Sequence, residues 1–349
     1  MKVLVEALAA EFGGIRTYVE HLLAAWESAF PDDDLTVLVP QGSDLHIAGH
    51  RRRELAIPGP DIVARPLAHT AAIRRLVAES DADAVLATLP NTSLRHPGVP
   101  LTVVVHDLRH EIRPEQFSRG RRLVRALAYR RAYALADHIV SVSQRSLDDL
   151  HRLHPGLRAT PSTVVHHGAD HVGAAAGERT GPAVAFAHHT NKNPRLVLQA
   201  WSLAQRRGIA LPELILVGTG SERQALTEEA QRLGIADRVT MAPYLDDAAF
   251  GAVLAESAAV VFPSSFEGFG LPVLEGMLIG SPVVIGPEPA TQEVAGGWAS
   301  VAAVWTAEAL LDAVVAGCAF DDDHLAAARA HAATFTWQRT AEQTRAALR

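Results

Sequence analysis

Two glutamates beside a glycine-rich stretch are the residues of this sequence best suited to bind a polar substrate. Glu267 and Glu275 lie eight residues apart in the segment FEGFGLPVLEG. Backbone N–H groups in such a loop and at a helix start can hold a phosphate or a sugar hydroxyl. A carboxylate can accept from two sugar hydroxyls at once. The pattern predicts a site for such a ligand, although an ordinary loop with two incidental glutamates has the same residues.

The predicted secondary structure places this segment at the carboxyl end of a buried strand. A strand is predicted to end at Phe262, and a helix to start near Leu271–Pro272, because proline suits a first helical turn. Glu267 then lies in the loop, and Glu275 lies about one turn into the helix.

Along the whole chain, short apolar runs alternate with helical patterns. This alternation predicts an α/β protein with parallel sheets covered on both faces. Predicted strands are Val3–Leu8, Leu35–Val39, Ala84–Thr88, Leu101–Val105, His138–Val142, Thr163–His166, Ala183–Ala187, Glu213–Val217, Val239–Met241, Ala259–Phe262 and Pro282–Ile285. Predicted helices include Thr17–Glu27, Pro66–Ser80, Arg121–Ala136, Pro194–Arg207, Ser221–Leu233, Ala248–Ser257 and Trp337–Leu348.

The Gly-rich segment Ala169–Gly181 has no apolar period and is interpreted as a linker. The sequence thus predicts two doubly wound, Rossmann-like domains: residues 1–170, which would bind the acceptor, and 171–335, which would bind the nucleotide sugar. A helix in residues 336–349 is expected to pack back on the first domain. Since ligands bind beyond the carboxyl ends of such strands, two facing domains would form a cleft there.

Composition excludes several classes of protein. The 349 residues are 48% hydrophobic and 20% charged, which excludes a chain disordered as a whole. The net charge of −7 disfavours a dedicated nucleic-acid binder. A single cysteine, Cys318, excludes an internal disulfide and a Cys-rich zinc site. No apolar run is long enough for a membrane span or signal peptide, so we expect a cytoplasmic protein.

The whole string FPSSFEGFGLPVLEG, residues 262–276, resembles the E-x(7)-E signature of the retaining glycosyltransferases of the GT-B fold, family 4. The resemblance implies that Glu267 contacts the hydroxyls of the donor sugar and Glu275 the ribose of the nucleotide. It further implies donor contacts through the loop residues Gly268, Phe269, Gly270 and Leu271.

Other segments resemble the same family, in the expected order. Gly13 and Gly14 match its first loop, where a backbone without side chains can approach a diphosphate; a purely structural turn is the alternative. His106 and Asp107 match a His-Asp pair near the donor sugar and the acceptor, which implies a catalytic role. The alternative is an aspartate that caps the next turn and a histidine that fills space.

Lys192 matches the lysine of the family's phosphate-binding loop, which implies a catalytic role in neutralising the diphosphate. A solvated loop lysine is the alternative. The arginine that the family usually has a few residues earlier is replaced by His188-His189, and a histidine is charged only when protonated. His188 is therefore included among the donor-binding residues.

Two further segments complete the implied donor site. Gly218 belongs to a glycine turn after a strand, and Tyr244 and Leu245 fall where the nucleobase usually rests. The family uses no metal and no cofactor besides the nucleotide sugar. Histidine pairs such as His106/His110 lack a convincing third ligand, which also predicts no metal site.

Eight arginines lie between Arg109 and Arg131 against Glu111 and Glu115, a net charge of +6. Such a stretch suits either a solvated helix face or contact with an anionic membrane surface or a phosphorylated acceptor. Lipid-linked acceptors in the family imply a peripheral position at the inner face of the membrane.

The sequence therefore predicts a retaining, metal-independent enzyme of polysaccharide biosynthesis. It would transfer a hexose or deoxyhexose from a nucleotide diphosphate sugar to a carbohydrate, lipid-linked or small-molecule acceptor. The alternatives are a non-catalytic partner subunit that binds sugar nucleotides, and another enzyme on the same fold, such as an epimerase or a phosphorylase.

Overall fold

The protein divides into two compact units of similar size. The computed structural model describes residues 1–10, 13–56, 61–173, 179–245 and 247–349. Unit 1 comprises Met1–Gly168 and Thr336–Arg349, and unit 2 comprises Ala169–Phe335. Part of the segment predicted as a linker, residues 174–178, lies outside the described residues.

Unit 1 is built on a parallel sheet whose seven described strands run in the order β3-β2-β1-β4-β5-β6-β7. The strands are β1 (Lys2–Glu6), β2 (Asp34–Pro40), β3 (Arg51–Leu55), β4 (Ala84–Ala87), β5 (Leu101–Val105), β6 (His138–Ser141) and β7 (Ser162–Val164). The helices between them are α1 (Gly13–Ala29), α2 (Asp61–Ser80), α3 (Arg109–Ile112), α4 (Arg119–Leu135) and α5 (Gln144–Leu153).

Unit 2 has a second parallel sheet, with six described strands in the order β10-β9-β8-β11-β12-β13. The strands are β8 (Ala183–Phe186), β9 (Leu214–Val217), β10 (Val239–Met241), β11 (Ala259–Phe262), β12 (Val283–Ile285) and β13 (Ser300–Val301). The helices are α6 (Pro194–Arg206), α7 (Arg223–Arg232), α8 (Asp247–Ala255), α9 (Leu271–Leu278), α10 (Pro289–Ala295), α11 (Ala307–Cys318) and α12 (Asp322–Ala332).

Both sheets contain a topological switch point, where the strand order reverses. In unit 1 it lies between β1 and β4, and in unit 2 between β8 and β11. The central strands β4, β5, β8 and β11 are buried throughout, as expected for strands covered by helices on both faces. Because ligands of such sheets bind outside the carboxyl ends at the switch point, the loops after β8 and β11 become the prime candidates in unit 2.

The predicted α/β class with parallel sheets is confirmed, but two strands were not predicted. The edge strand β3 is half exposed and begins with three arginines, so it lacks the apolar run by which strands were recognised. The other, β13, has only two residues. The first strand was predicted to continue to Leu8; it ends at Glu6, because the chain then turns with the Leu8 N–H donating to the Glu6 carboxylate.

The last helix, α13 (Trp337–Ala346), packs on α1 within unit 1. Arg345 forms a two-point ion pair with Asp33, at 2.6 and 2.9 Å. The hydroxyl of Thr102 on β5 donates to the Ala347 carbonyl. No helix in the described ranges is long and apolar enough to cross a bilayer.

Candidate functional site

A lysine and a glutamate meet at the switch point of unit 2. Lys192 ends a single helical turn (Thr190–Lys192) that follows β8, and Glu267 lies in the loop after β11. The Lys192 ammonium nitrogen lies 2.5 Å from Glu267 Oε1. Adjacent parallel strands deliver these two loops to the same edge of the sheet, so residues far apart in sequence form one charged pair.

The long side chain of Lys192 is almost completely buried. Only 8% of its side chain is exposed, and its ammonium nitrogen lies 4.4 Å from the centre of the Phe262 ring. Lys2 and Lys192 are the only lysines in the sequence, whereas arginine is abundant. A compact ammonium with three N–H donors is therefore present in a partly apolar setting where it can bind Glu267 and still donate to a ligand.

Two neighbours of this pair were not identified from the sequence. The Ser264 hydroxyl lies 2.5 Å from Glu267 Oε1, and the Asn191 amide nitrogen lies 3.1 Å from the same oxygen. Both residues are buried. A serine and an asparagine in loops carry no distinctive spacing, and the proximity of Asn191 to Lys192 in the chain was the one available signal.

The helix α9 starts directly after the glycine-rich loop. Its N-cap, Gly270, has φ +111°, a conformation that residues with a Cβ rarely adopt. Phe269 is buried, with its ring 6.4 Å from that of Phe335, so Phe269 offers a ligand its backbone rather than its side chain. Leu271 is the first helical residue, and Gly268 is half-buried. The loop thus brings backbone N–H groups to the positive end of the α9 dipole.

Glu275 lies on α9 and is buried, with 7% of its side chain exposed. The imidazole nitrogen Nε2 of His171 lies 3.3 Å from Glu275 Oε1. His171 is the third residue in this site that was not predicted, after Ser264 and Asn191, and nothing in its local sequence distinguishes it. A buried carboxylate beside an imidazole is well placed to accept hydrogen bonds from a polar ligand.

The loops after β8, β9 and β10 lie side by side. Gly218 has φ +77°, and a Cβ added there would meet the Cβ of His188 at 3.0 Å, so the close approach requires glycine. The Gly218 N–H donates to the Pro243 carbonyl. Both His188 and His189 are exposed, with ring centroids 5.2 Å apart, and Tyr244 is 70% exposed. Leu245, next to it, is half-buried.

Unit 1 contributes a separate group at the ends of its own strands. Gly13 and Gly14 form the exposed first turn of α1. At the end of β5, His106 Nε2–H donates to the Thr88 carbonyl at 3.0 Å. The remaining nitrogen, Nδ1, is then an acceptor in the neutral ring. Burial lowers the pKa of His106, against smaller opposing effects of Thr88 and Asp107, so the ring is uncharged at neutral pH.

Asp107 makes the contact expected of a turn-capping residue. Its carboxylate accepts from the Arg109 N–H at 2.9 Å. The neighbour of His106 that sequence analysis missed is His167, whose ring centroid lies 5.5 Å away. Burial, reinforced by His106 and His166, holds the pKa of His167 well below its usual range. Tyr18 and Trp337 complete this buried aromatic group around His167.

Among the described residues, no group of three or more His, Cys, Asp or Glu side chains is placed to hold a metal ion.

Two protein-family models match the chain in sequence, one on each half. Residues 12–172 match the description "Glycosyltransferase Family 4", and residues 182–318 match "Glycosyl transferases group 1". The chain belongs to the family 4-like glycosyltransferases of the GT-B fold. Together the two matches cover every described strand except β1, and they include the loops that contain Lys192 and Glu267.

Curated relatives agree with this family over part of their length. The chain is 31% identical over 178 residues to D-inositol 3-phosphate glycosyltransferase of Segniliparus rotundus, covering 45% of this chain and 38% of the relative. It is 32% identical over 157 residues to O-antigen chain mannosyltransferase B of Escherichia coli, covering 44% and 41%. The matched part thus spans about two fifths of each of these relatives.

Solved structures share the fold over nearly the whole chain. Sucrose-phosphate synthase from Thermosynechococcus elongatus has a TM-score of 0.81 at 16% identity, covering 99% of this chain and 98% of that one. The Anabaena protein Alr3699/HepE, solved in complex with UDP and glucose, has a TM-score of 0.77 at 18% identity with the same coverage. At these identities the likeness establishes the GT-B fold and nothing finer.

Proposed function

We propose that this chain is a retaining glycosyltransferase that moves a hexose or deoxyhexose from a nucleotide diphosphate sugar to an acceptor hydroxyl. The observation that carries the proposal is the Lys192–Glu267 pair at the switch point of unit 2. A cation beside a carboxylate suits a donor whose anionic diphosphate adjoins a sugar rich in hydroxyls. Membership of the family supports the reaction class.

In the proposed reaction, groups of unit 2 that are already in position stabilise the charge that develops on the leaving group. Lys192 and the backbone N–H groups near Gly270 stabilise the departing diphosphate, which is usually the largest catalytic effect in such a transfer. As the bond from the sugar carbon to the phosphate oxygen breaks, the acceptor oxygen bonds to the same face of that carbon. The leaving phosphate oxygen takes the acceptor's proton. Glu267 holds the sugar and does not attack it, and no metal takes part.

Other residues of unit 2 make the remaining contacts with the donor. Glu275 accepts from the ribose, and Tyr244 and Leu245 face the base. His188 contributes to the diphosphate site with a charge that depends on its protonation. In unit 1, Nδ1 of the neutral His106 ring can accept a hydrogen bond from a substrate hydroxyl.

Release of nucleoside diphosphate from a panel of nucleotide sugars tests this function. We expect the wild-type chain to release it from at least one donor, at the same rate with and without EDTA. With methanol as the acceptor, the methyl glycoside should keep the donor's anomeric configuration. Glu267→Gln should lower turnover by more than 100-fold, whereas the surface change Lys2→Ala should leave it unchanged. Binding without release from any donor would instead favour a non-catalytic partner subunit.

We further propose that α4 rests on an anionic lipid surface. Leu123 and Leu127, one helical turn apart, are each 61% exposed and together form an apolar spot on the helix surface. Arg119, Arg122 and Arg130 on the same helix are also exposed. Exposed leucines flanked by arginines suit burial at the boundary between headgroups and acyl chains.

Sedimentation with vesicles tests this contact separately from catalysis. The wild-type chain should sediment with vesicles that contain phosphatidylglycerol and stay in solution with pure phosphatidylcholine. The double variant Leu123→Ser/Leu127→Ser should lose most of that binding while keeping donor turnover in solution. Equal sedimentation of both proteins would mean that α4 is a solvated face.

A further inference from the structure

Asn191 joins the two loops that carry the Lys192–Glu267 pair. It lies in the turn after β8, and only 4% of the residue is exposed. Its amide nitrogen lies 2.8 Å from the Phe266 carbonyl, 3.1 Å from Glu267 Oε1 and 3.2 Å from Ser264 Oγ. The two N–H groups of the amide are shared among these three oxygens, which fixes the orientation of the amide.

The backbone of Asn191 holds the same loop from the other side. Its carbonyl accepts from the Ser265 N–H at 2.8 Å. The Ser264 hydroxyl has one proton to donate, and the nearest acceptor is Glu267 Oε1 at 2.5 Å. The Asn191 carbonyl lies farther from this hydroxyl, at 2.9 Å, and the charged carboxylate at the shorter distance is the stronger acceptor. Asn191 thus binds the loop through both its side chain and its main chain.

Glu267 Oε1 is consequently surrounded by three donors. They are the Lys192 ammonium, the Ser264 hydroxyl and the Asn191 amide. Three hydrogen bonds to one oxygen leave the carboxylate little freedom to rotate, so the position of its second oxygen is also determined. A carboxylate that must meet particular sugar hydroxyls gains from such restriction, because less order has to be imposed when the ligand binds.

The side-chain carbonyl oxygen of Asn191 indicates that this residue does not serve stability alone. Its carbonyl oxygen Oδ1 is buried and has no hydrogen-bond partner among the described residues. A buried oxygen without a hydrogen bond destabilises the folded state. A cost of this kind is accepted most often at functional sites, where a side chain is selected for its position.

From these contacts we infer that Asn191 is a positioning residue for Glu267, and that it acts on the transferred sugar and not on the nucleotide. The inference rests on the proposed function, because it assigns the sugar to Glu267. Lys192 belongs to the diphosphate part of the same site, so the two neighbouring residues should differ in what their removal impairs.

Calorimetric titration separates the two parts of the donor. The probe pairs are UDP with UDP-glucose and GDP with GDP-mannose, and the pair that binds the wild-type chain is used. Asn191→Ala should keep the affinity for the nucleoside diphosphate within about twofold and weaken binding of the nucleotide sugar five- to tenfold. Lys192→Ala should weaken both. Ser265→Ala is the matched control, since it removes a hydroxyl 3.4 Å from the Asn191 carbonyl and leaves the three donors to Glu267 Oε1 in place.

The pH profile of donor turnover gives a readout that a structural role would not change. In Asn191→Asp, a donor is lost and a negative charge is added beside Glu267, and both effects disfavour the ionised carboxylate. The acid limb should therefore move to higher pH. This near-isosteric variant also replaces Asn191→Ala in the titration if the alanine variant does not fold.

Two results would overturn the inference in different ways. Equal loss of both affinities in Asn191→Ala, or no loss of either, would show that Asn191 does not act through the sugar, while wild-type binding would leave the proposed function intact. Failure of the wild-type chain to bind either probe pair would contradict the proposed function itself, and the inference with it.

Discussion

Lys192 and Glu267 are 75 residues apart in the chain, yet an N–H of the lysine donates to the glutamate over 2.5 Å. The contact forms because β8 and β11 are neighbours at the switch point of the unit 2 sheet. Their pairing therefore concentrates opposite charges at the edge where such sheets bind ligands.

Replacement of Lys192 by alanine should weaken nucleoside diphosphate binding by at least tenfold. The change removes a positive charge that is largely shielded from water, and it leaves Glu267 without its cation. Titration with the bound nucleotide measures the effect. Lys2→Ala is a matched control, because Lys2 pairs with exposed Asp81 on the surface. Unchanged affinity in the Lys192 variant would show that the lysine does not meet the diphosphate.

His171 and Glu275 should be energetically coupled in nucleotide binding. Glu275→Gln should lower nucleotide affinity about tenfold, because the ribose loses its carboxylate acceptor. His171→Ala should lower it by about threefold, since Glu275 loses the imidazole 3.3 Å away. In a double-mutant cycle the double variant should bind no more weakly than Glu275→Gln alone. Strictly additive losses would mean that the two residues act independently.

Asp33 should stabilise unit 1 in a manner that depends on acidity. Hydrogen bonds from Arg345, with smaller contributions from the N-terminus and Trp26, hold the pKa of Asp33 well below its ordinary value. Asp33→Asn should lower the free energy of unfolding by about 2 kcal/mol at pH 7. The ionised carboxylate stabilises fully above the ordinary value of 3.8, and this stabilisation disappears as the pH falls below it.

Urea unfolding at several pH values measures this difference. The gap between the wild-type chain and Asp33→Asn should be constant above about pH 5 and should shrink below pH 4. The exposed neighbour Asp32 provides the control Asp32→Asn, which should stay within about 0.5 kcal/mol of the wild type. A gap that does not change with pH would contradict the assigned ion pair.

His110 should make the fold less stable in mild acid. Its ring packs against the edge of the Tyr129 ring, and burial lowers the pKa of His110 to about 4, with Glu111 opposing the effect. Between about pH 6.5 and pH 4 the unfolded chain binds a proton that the folded chain refuses. Stability should therefore fall as the pH decreases through this range and should be unaffected above it.

The size of this effect can be measured by substitution. From pH 7 to pH 5, His110→Gln should lose about 2 kcal/mol less stability than the wild-type chain, because one pKa unit corresponds to about 1.4 kcal/mol. His46→Gln changes an exposed histidine and should show the wild-type dependence. The same slope in all three proteins would show that His110 titrates normally in the folded state.

The parts of the fold that could be predicted were those with a pattern along the chain. β5 and β11 are apolar at nearly every position, and burial on both faces of a parallel sheet requires that. β3 has no such pattern, because it is an edge strand that pairs with β2 and leaves Arg51 and Arg53 exposed. Pairing between distant segments leaves no local signal.

The same distinction applies to the site. Glu267 and Glu275 were recognised because their spacing around the glycine-rich loop is a family signature. Lys192 was recognised because it matches the lysine of the family's phosphate-binding loop. The supporting residues Asn191 and His171 were missed. Their roles follow from the carboxylates that lie beside them in space. An asparagine or a histidine in a loop can serve many purposes, and only the three-dimensional structure shows which carboxylate each one contacts.

The most direct test of the proposed donor site is a thermal-shift panel with UDP, GDP, ADP and dTDP, each with and without magnesium. A ligand at about 100 times its dissociation constant should stabilise the fold by about 2.7 kcal/mol. We predict that one nucleotide raises the melting temperature of the wild-type chain, that magnesium leaves the rise unchanged, and that Lys192→Ala reduces the rise to about half or less. No rise with any of the four nucleotides would contradict the assignment of Lys192 and Glu267 to a nucleotide-sugar site.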